Sequence, residues 1–331
     1  MNILLIFVLF MVLASEFVNG WTDAPNAIAT VVSTRVIPPR RAVIMAVVLN
    51  IVGNLSGTAV AYTIGKGIVD PSIINLQTIA AALTGIVVWS SVAARLGIPT
   101  SESHALVSGL AGAGLATAGP QVLIVSGWVK VFIGLIFSSL LGFFLAWGIG
   151  KVIQHFFADR QPAESKRLFD RMQILSAAFM AYNHGMNDGQ KFIGVFVMAL
   201  VIGGVMPVFH VPVWVILLCA GTMGLGTSVG GYKIIGMIGE KMVHIESWQG
   251  FGAELAASST ILLASLSGIP LSTTHTITTS LMGVAASRRL SAVRWKYSTN
   301  ILLAWIFTFP ICTAIAFGVC YLLNILLPYI R

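Results

Sequence analysis

Three carboxylates, Asp23, Asp188 and Glu254, lie within long apolar stretches of this chain. A charged group at bilayer depth costs about 2.5–3.5 kcal/mol or more unless it faces a partner or water, so each reads either as the mark of an ion or substrate path or as an acid protonated or hydrogen-bonded across helices to hold the bundle together. Around the two aspartates a polar phrase is written twice, as Asn19-Gly20-Trp21-Thr22-Asp23-Ala24-Pro25-Asn26 and, 165 residues on, as His184-Gly185-Met186-Asn187-Asp188-Gly189-Gln190-Lys191. A second phrase is also paired. Gly97-Ile98-Pro99-Thr100-Ser101-Glu102-Ser103-His104 returns after 171 residues as Gly268-Ile269-Pro270-Leu271-Ser272-Thr273-Thr274-His275.

The second phrase supplies the hydroxyls of Ser101, Ser103, Ser272, Thr273 and Thr274 directly after Gly-Ile-Pro. Proline favours a first helical turn and Ser or Thr satisfies the free amides there, so each hydroxyl read singly is a helix cap. Two such helix starts facing one another present amides and hydroxyls to one point, which suits an oxyanion. Asp23 followed by Pro25 makes a similar helix start. Lys191 is the only Lys or Arg in the four phrases, so an anion would be held mainly by neutral donors. Carboxylates nearby repel that anion until a cation or proton joins Asp23 or Asp188, and such obligatory co-binding is the physical basis of symport. Lys191 follows Asp188 by three residues, close to one helical turn, where its ammonium offsets that charge.

His104 and His275 close the second phrase in both copies and read either as hydrogen-bonded packing residues or as proton relays that orient the hydroxyls. A Ser-x-Ser-His string also raises an intramembrane hydrolase, with Ser103 and His104 or Ser272 and His275 as nucleophile and base. The string itself lies in no Gly-x-Ser-x-Gly elbow, no His-Glu-x-x-His or Cys cluster accompanies it, and the duplication suits transport better.

The elements that must position these residues are membrane helices. Hydrophobic residues make up 57% of the chain and charged ones 9%, and the mean hydropathy is +0.92; too few charges are present to cover a soluble surface. The net charge of +8 comes from short basic clusters without interleaved aromatics, which points to membrane orientation and not to nucleic acid. Cys219, Cys312 and Cys320 lie in apolar runs and read as small packing residues. The first twenty residues resemble a signal peptide but carry no Lys or Arg before the apolar run, so an uncleaved first helix is expected.

Apolar stretches of about 20 residues divide each half into five. They cover residues 3–34, 42–62, 76–94, 98–117 and 122–149, then 174–205, 213–229, 248–267, 269–287 and 297–327. The expected fold is an all-α integral membrane protein with two repeats, residues 1–150 and 173–331, joined by a charged cytoplasmic linker at 151–172. Each repeat has about five crossings, with broken helices or hairpins at the polar phrases. Five is odd, so the repeats are inverted in topology. With the N-terminus outside, 15 of the 19 basic residues are cytoplasmic, from Arg35, Arg40, Arg41 and Arg95 through Lys151, Arg160, Lys166, Arg167 and Arg171 to Lys233, Lys241, Arg288, Arg289, Arg294 and Lys296. Both termini are then extracytoplasmic. Segments 98–117 and 269–287, rich in Gly, Ser and Thr, are candidates for re-entrant hairpins, although a net crossing for each keeps the basic linker inside.

The four phrases, in this order and spacing, resemble those of the inorganic phosphate transporter (PiT) family, of the bacterial low-affinity permease type. The pattern Gly-x-Asn-Asp-x-x-Asn/Lys is matched at Gly20 to Asn26 and Gly185 to Lys191, and Gly-x-Pro-x-Ser-x-Ser/Thr-His at Gly97 to His104 and Gly268 to His275. The Glu254 helix fits as well. Thr22 stands where the first copy commonly has Asn, and Asn50 where some members carry an acid. The resemblance implies a symporter of inorganic phosphate in the cytoplasmic membrane, coupled to co-transported Na+ or H+, with no catalytic residue and no cofactor. The implied phosphate ligands are Thr22, Asp23, Ser101, Ser103, Ser272, Thr273 and Thr274. The implied cation-binding or coupling residues are Asn26, Asn187, Asp188, Lys191, Glu254, His104 and His275. Membrane lipid surrounds the chain, a homodimer is open as its assembly, and another oxyanion such as sulfate is the alternative cargo.

Overall fold

A computed structural model describes residues 2–229, 235 and 245–326; Lys233, Lys241, Leu327 and Arg331, which enter the expected charge pattern and last crossing, lie outside them. Among the described residues the chain is helical, and its only β pairing is an isolated bridge between Val69 and Leu123. Helix α1 (Ile3–Thr22) is followed by a 3-10 turn, Ala24–Ala27, and a short α2 (Ala29–Ser33). Pro25 lacks an N–H and cannot continue the ladder, so the helix breaks at the first polar phrase. The matched helix does not break. Helix α8 (Pro162–His184) passes through a π turn, Gly185–Gly189, into α9 (Gln190–Ile202). Gln190 stands where the first copy has Pro25, and the extra residue is absorbed as a bulge.

Between these lie α3 (Pro39–Asn54) and α4 (Ala59–Gly67), bent by 70° at their junction, then α5 (Leu76–Leu96), α6 (Glu102–Ala118) and α7 (Val125–Phe157). The second half continues with α10 (Val213–Val229), α11 (Ser247–Leu266), α12 (Thr273–Arg288) and α13 (Trp295–Leu326). The expected linker is mostly helix: α7 runs to Phe157 and α8 restarts at Pro162. Proline suits that first position, and Lys166 bonds Asp170 at 2.7 Å one turn on, a pairing that supports an exposed helix.

Packing in one half has a counterpart in the other. Helix α1 lies on α10 as α8 lies on α3, and α6 lies on α13 as α12 lies on α7. The first two seams are closed by glycines at matched positions. A Cβ on Gly20 would run into the Met223 carbonyl and one on Gly185 into that of Asn50; one on Gly226 would strike the Phe17 carbonyl and one on Gly53 that of Tyr182. Small residues at such crossings let helix backbones approach within a bilayer, where packing drives association.

Helices α5 and α6 form an antiparallel pair whose open end is tied by the Val69–Leu123 bridge; α11 and α12 form another, tied by Arg288 Nη1 donating to Glu246 Oε1 at 3.0 Å. The 33 residues of α7, about 50 Å of helix, connect these two ends. Its start is held by Ile124 N donating to Ile68 O, and its last residue, Phe157, lines a cavity of about 750 Å³ together with Glu246 and Arg288. The two pairs therefore enter from opposite ends and their tips meet midway. Segments 98–117 and 269–287 are the returning arms.

Among the described residues four helices suffice by length and composition to cross a membrane, Ile3–Ala27, Leu76–Leu96, Val125–Phe157 and Ser298–Leu326, or five with the bent α3–α4 pair. The remaining expected crossings are shorter, interrupted or, as in Ser247–Leu266, less apolar. Phe132, Ile136, Phe137, Leu140 and Phe144 on α7, and Ile306, Phe307, Leu322 and Ile325 on α13, face outward, an apolar exterior fit for lipid.

Candidate anion and cation site

The first two tip hydroxyls are caps. Ser101 Oγ accepts from His104 N at 3.3 Å and Ser272 Oγ from His275 N at 3.2 Å, opening α6 and α12. The hydroxyls that follow turn to the polar phrases. Thr274 Oγ1 donates to Asp23 Oδ1 at 2.9 Å, and Thr273 Oγ1 donates to Asp188 Oδ2 at 2.6 Å. Ser103 Oγ donates to the Leu271 carbonyl at 2.7 Å and accepts from Lys191 Nζ. Each tip thus reaches the broken or bulged helix of the opposite half.

Around Asp23 the partners are neutral: besides Thr274, Asn26 Nδ2 lies 3.4 Å from Oδ1 and Glu102 N lies 3.4 Å from Oδ2. Asn26 Nδ2 also donates to Thr274 Oγ1 at 2.7 Å. Around Asp188 they are charged or polarisable. Lys191 bonds its Oδ1, and His184 Nε2 lies 3.3 Å from Oδ2. His184 is held in turn by Nδ1 against Asn50 Oδ1 at 2.7 Å, and Asn50 Nδ2 donates to Ala46 O at 2.7 Å. Lys191 Nζ makes its third bond to Leu271 O at 2.8 Å, which uses all three ammonium protons. Asp23 is 3% exposed, Asp188 and Lys191 1%, and Thr274 fully buried, so in this arrangement the site is closed to both faces.

The other expected site residues make contacts of their own. Thr22 Oγ1 is occupied by Glu102 Oε1 at 2.9 Å and by Val18 O; Asn187 Nδ2 donates to Ser265 Oγ at 2.9 Å. His104 and His275 meet edge to face with ring centroids 4.4 Å apart. His275 stacks on Trp305 and His104 packs on Phe309. Neither serine-histidine dyad forms, because Ser103 spends its hydroxyl on Leu271 and Lys191, while Ser272 accepts from the backbone of His275. Glu254 is set apart from the aspartates. It accepts from Thr30 and Ser176, next to Thr34, which donates to Gln173 Oε1 at 2.9 Å. Its matched position is Leu83, 171 residues earlier and fully buried, so this carboxylate, which joins residues of both halves, has no acidic counterpart in the first.

Three buried residues escape the sequence reading. Glu16 is fully buried on α1 and accepts from Asn19 Nδ2 at 3.3 Å. Glu102 and His184 sit inside the quoted phrases without an assigned role. The signal that marked Asp23, a carboxylate within an apolar run, applies equally to Glu16. Among the described residues no group of three or more His, Cys, Asp or Glu gathers as a metal site; the gathered atoms are hydroxyl, amide, carbonyl and carboxylate, the donors of hard cations and oxyanions.

A buried polar centre, built where two antiparallel helix pairs from opposite ends meet between interrupted helices, defines a membrane transporter. Residues 19–316 match the Phosphate transporter family. The chain is 39% identical over 332 residues to a probable low-affinity inorganic phosphate transporter of Bacillus subtilis, covering 98% of this chain and 100% of that one. It is 40% identical to another so described from Rhizobium meliloti, over 96% of each. A solved structure described as the sodium-dependent phosphate transporter shares the fold with a TM-score of 0.89 at 24% identity, over 98% of this chain and 100% of that one. The chain belongs to the phosphate transporter family: it is a multi-pass membrane transporter and not an enzyme, which sets aside the hydrolase reading.

Proposed function

We propose that this protein is a symporter that carries inorganic phosphate across the cytoplasmic membrane by alternating access between two inverted halves, coupled to Na+ or H+. The observation that carries the reading is the bond from Thr274 of one half to Asp23 of the other, beside the amide ends of α6 and α12. Phosphate enters as the guest of the Ser103, Thr273 and Thr274 hydroxyls and those amides. Asp23 has no basic partner among the described residues, so a coupled cation or proton must balance it when the anion arrives. Asn26, whose buried Oδ1 has no hydrogen-bond partner among the described residues, supplies a further oxygen for that ion. The name of the solved relative, a sodium-dependent transporter, supports Na+.

Phosphate carries protons near neutral pH and sulfate does not, so an acceptor such as Asp23 favours phosphate. Purified protein in liposomes should accumulate labelled phosphate when an inward Na+ or H+ gradient is imposed, and excess sulfate should leave that uptake unchanged. Strong inhibition by sulfate without phosphate accumulation would assign another oxyanion, and equal flux without any cation gradient would reduce the protein to a channel.

A further inference from the structure

The two halves answer each other residue by residue through the first phrase, and in one place a neutral side chain faces a cation: Asn26 matches Lys191. The Lys191 ammonium is held by a carboxylate, a hydroxyl and a carbonyl, from Asp188, Ser103 and Leu271. That is an all-oxygen cage around one positive charge, sealed at 1% exposure, and it is the coordination a bare hard cation takes. The first half offers the same kind of donors without the charge. Asp23 stands with the Thr274 hydroxyl and Asn26, and Asn26 Oδ1 is buried with no hydrogen-bond partner among the described residues. An unpaired buried acceptor beside a carboxylate is costly unless something positive satisfies both.

We propose that Lys191 is a built-in cation: its ammonium permanently fills the second-half counterpart of the place where the first half takes a mobile alkali cation at Asp23 and Asn26. The inference rests on the symport reading above. Its consequence is stoichiometric, since the tethered charge replaces one ion that a chain with asparagine at both positions would have to carry with each phosphate.

The test restores the match. Lys191→Asn leaves Asp188 unbalanced and should open a second site for Na+, read by the melting temperature of detergent-purified protein as Na+ replaces choline at constant ionic strength. The variant should gain roughly 5 °C more than the wild type across a hundredfold range of Na+, and in liposomes the order of phosphate uptake in Na+ should rise by one. Lys191→Arg, which keeps a tethered charge, should show no added Na+ response. The double variant Asp188→Asn with Lys191→Asn, which lacks the charge to be balanced, should lose the gain. The proposal is overturned if Lys191→Asn gains no more from Na+ than the wild type does, responds to acid alone, or fails to fold at every Na+ concentration. Wild-type uptake indifferent to cation gradients would instead remove the symport reading, and the melting experiment separates the two outcomes.

Discussion

Asp23 and Asp188 occupy matched positions and are balanced by different means, one by neutral donors and one by Lys191 and His184. Asp23→Asn should therefore abolish cation-driven phosphate uptake while the protein remains folded, because no buried ion loses its partner. Asp188→Asn should impair uptake and also leave Lys191 buried without its counter-charge, a loss of about 3–5 kcal/mol that should appear as a lower yield and melting temperature. Full cation-dependent uptake by Asp23→Asn would remove that residue from the transport site; equal destabilisation by both changes would remove the asymmetry. The Asp188–Lys191 contact was legible in sequence because three residues of helix put the two side chains on one face. The bond from Thr274 to Asp23 spans 251 positions, and local spacing says nothing about it. Glu16 was legible by the rule that found Asp23, whereas its pairing with Asn19 required the helix to be seen.

At the scale of helices, position along the chain reported which segments are interrupted but not how. Pro25 forces a break, while Gln190 permits a π turn, and the distinction depends on whether an N–H is available. The matched seams were hidden for another reason: glycine is frequent in this chain, and only the packed structure separates those that admit a neighbouring backbone from those that face open space. Gly226 and Gly221 sit on the same helix and differ in this respect. A Cβ at Gly226 meets the Phe17 carbonyl, and a Cβ at Gly221 meets nothing within 4 Å. Gly226→Ala should cost about 1–3 kcal/mol by overpacking the α1–α10 seam, and Gly221→Ala should be neutral or stabilise by up to about 1 kcal/mol through helix propensity. Melting temperatures of the two purified variants check this; a Gly226→Ala protein as stable as Gly221→Ala would mean that the seam yields freely.

For the molecule as a whole, the connection of α7 to both open ends agrees with two helix pairs entering from opposite faces, which sets Arg95, in the last turn of α5, at a tip and not in the cytoplasmic loop expected for it. Side itself is testable, since Cys219, Cys312 and Cys320 are buried and Ser72 and Gln161 are exposed. On intact cells a membrane-impermeant thiol reagent should label Ser72→Cys and spare Gln161→Cys, placing the linker within the cytoplasm; the reverse pattern would invert the topology. The bonds that close the centre run across the halves, from Thr274 to Asp23 and from Lys191 to Ser103. Either half synthesised alone would hold only part of a binding site, and two identical halves associating in opposite orientation about a twofold axis could make a complete one only with the same residue at both matched positions. A lysine there would then arrive twice and neutralise both aspartates, leaving nothing for a travelling ion to bind. Joining the halves in a single gene is what allows one aspartate to keep a captive charge while its twin stays vacant for the passenger.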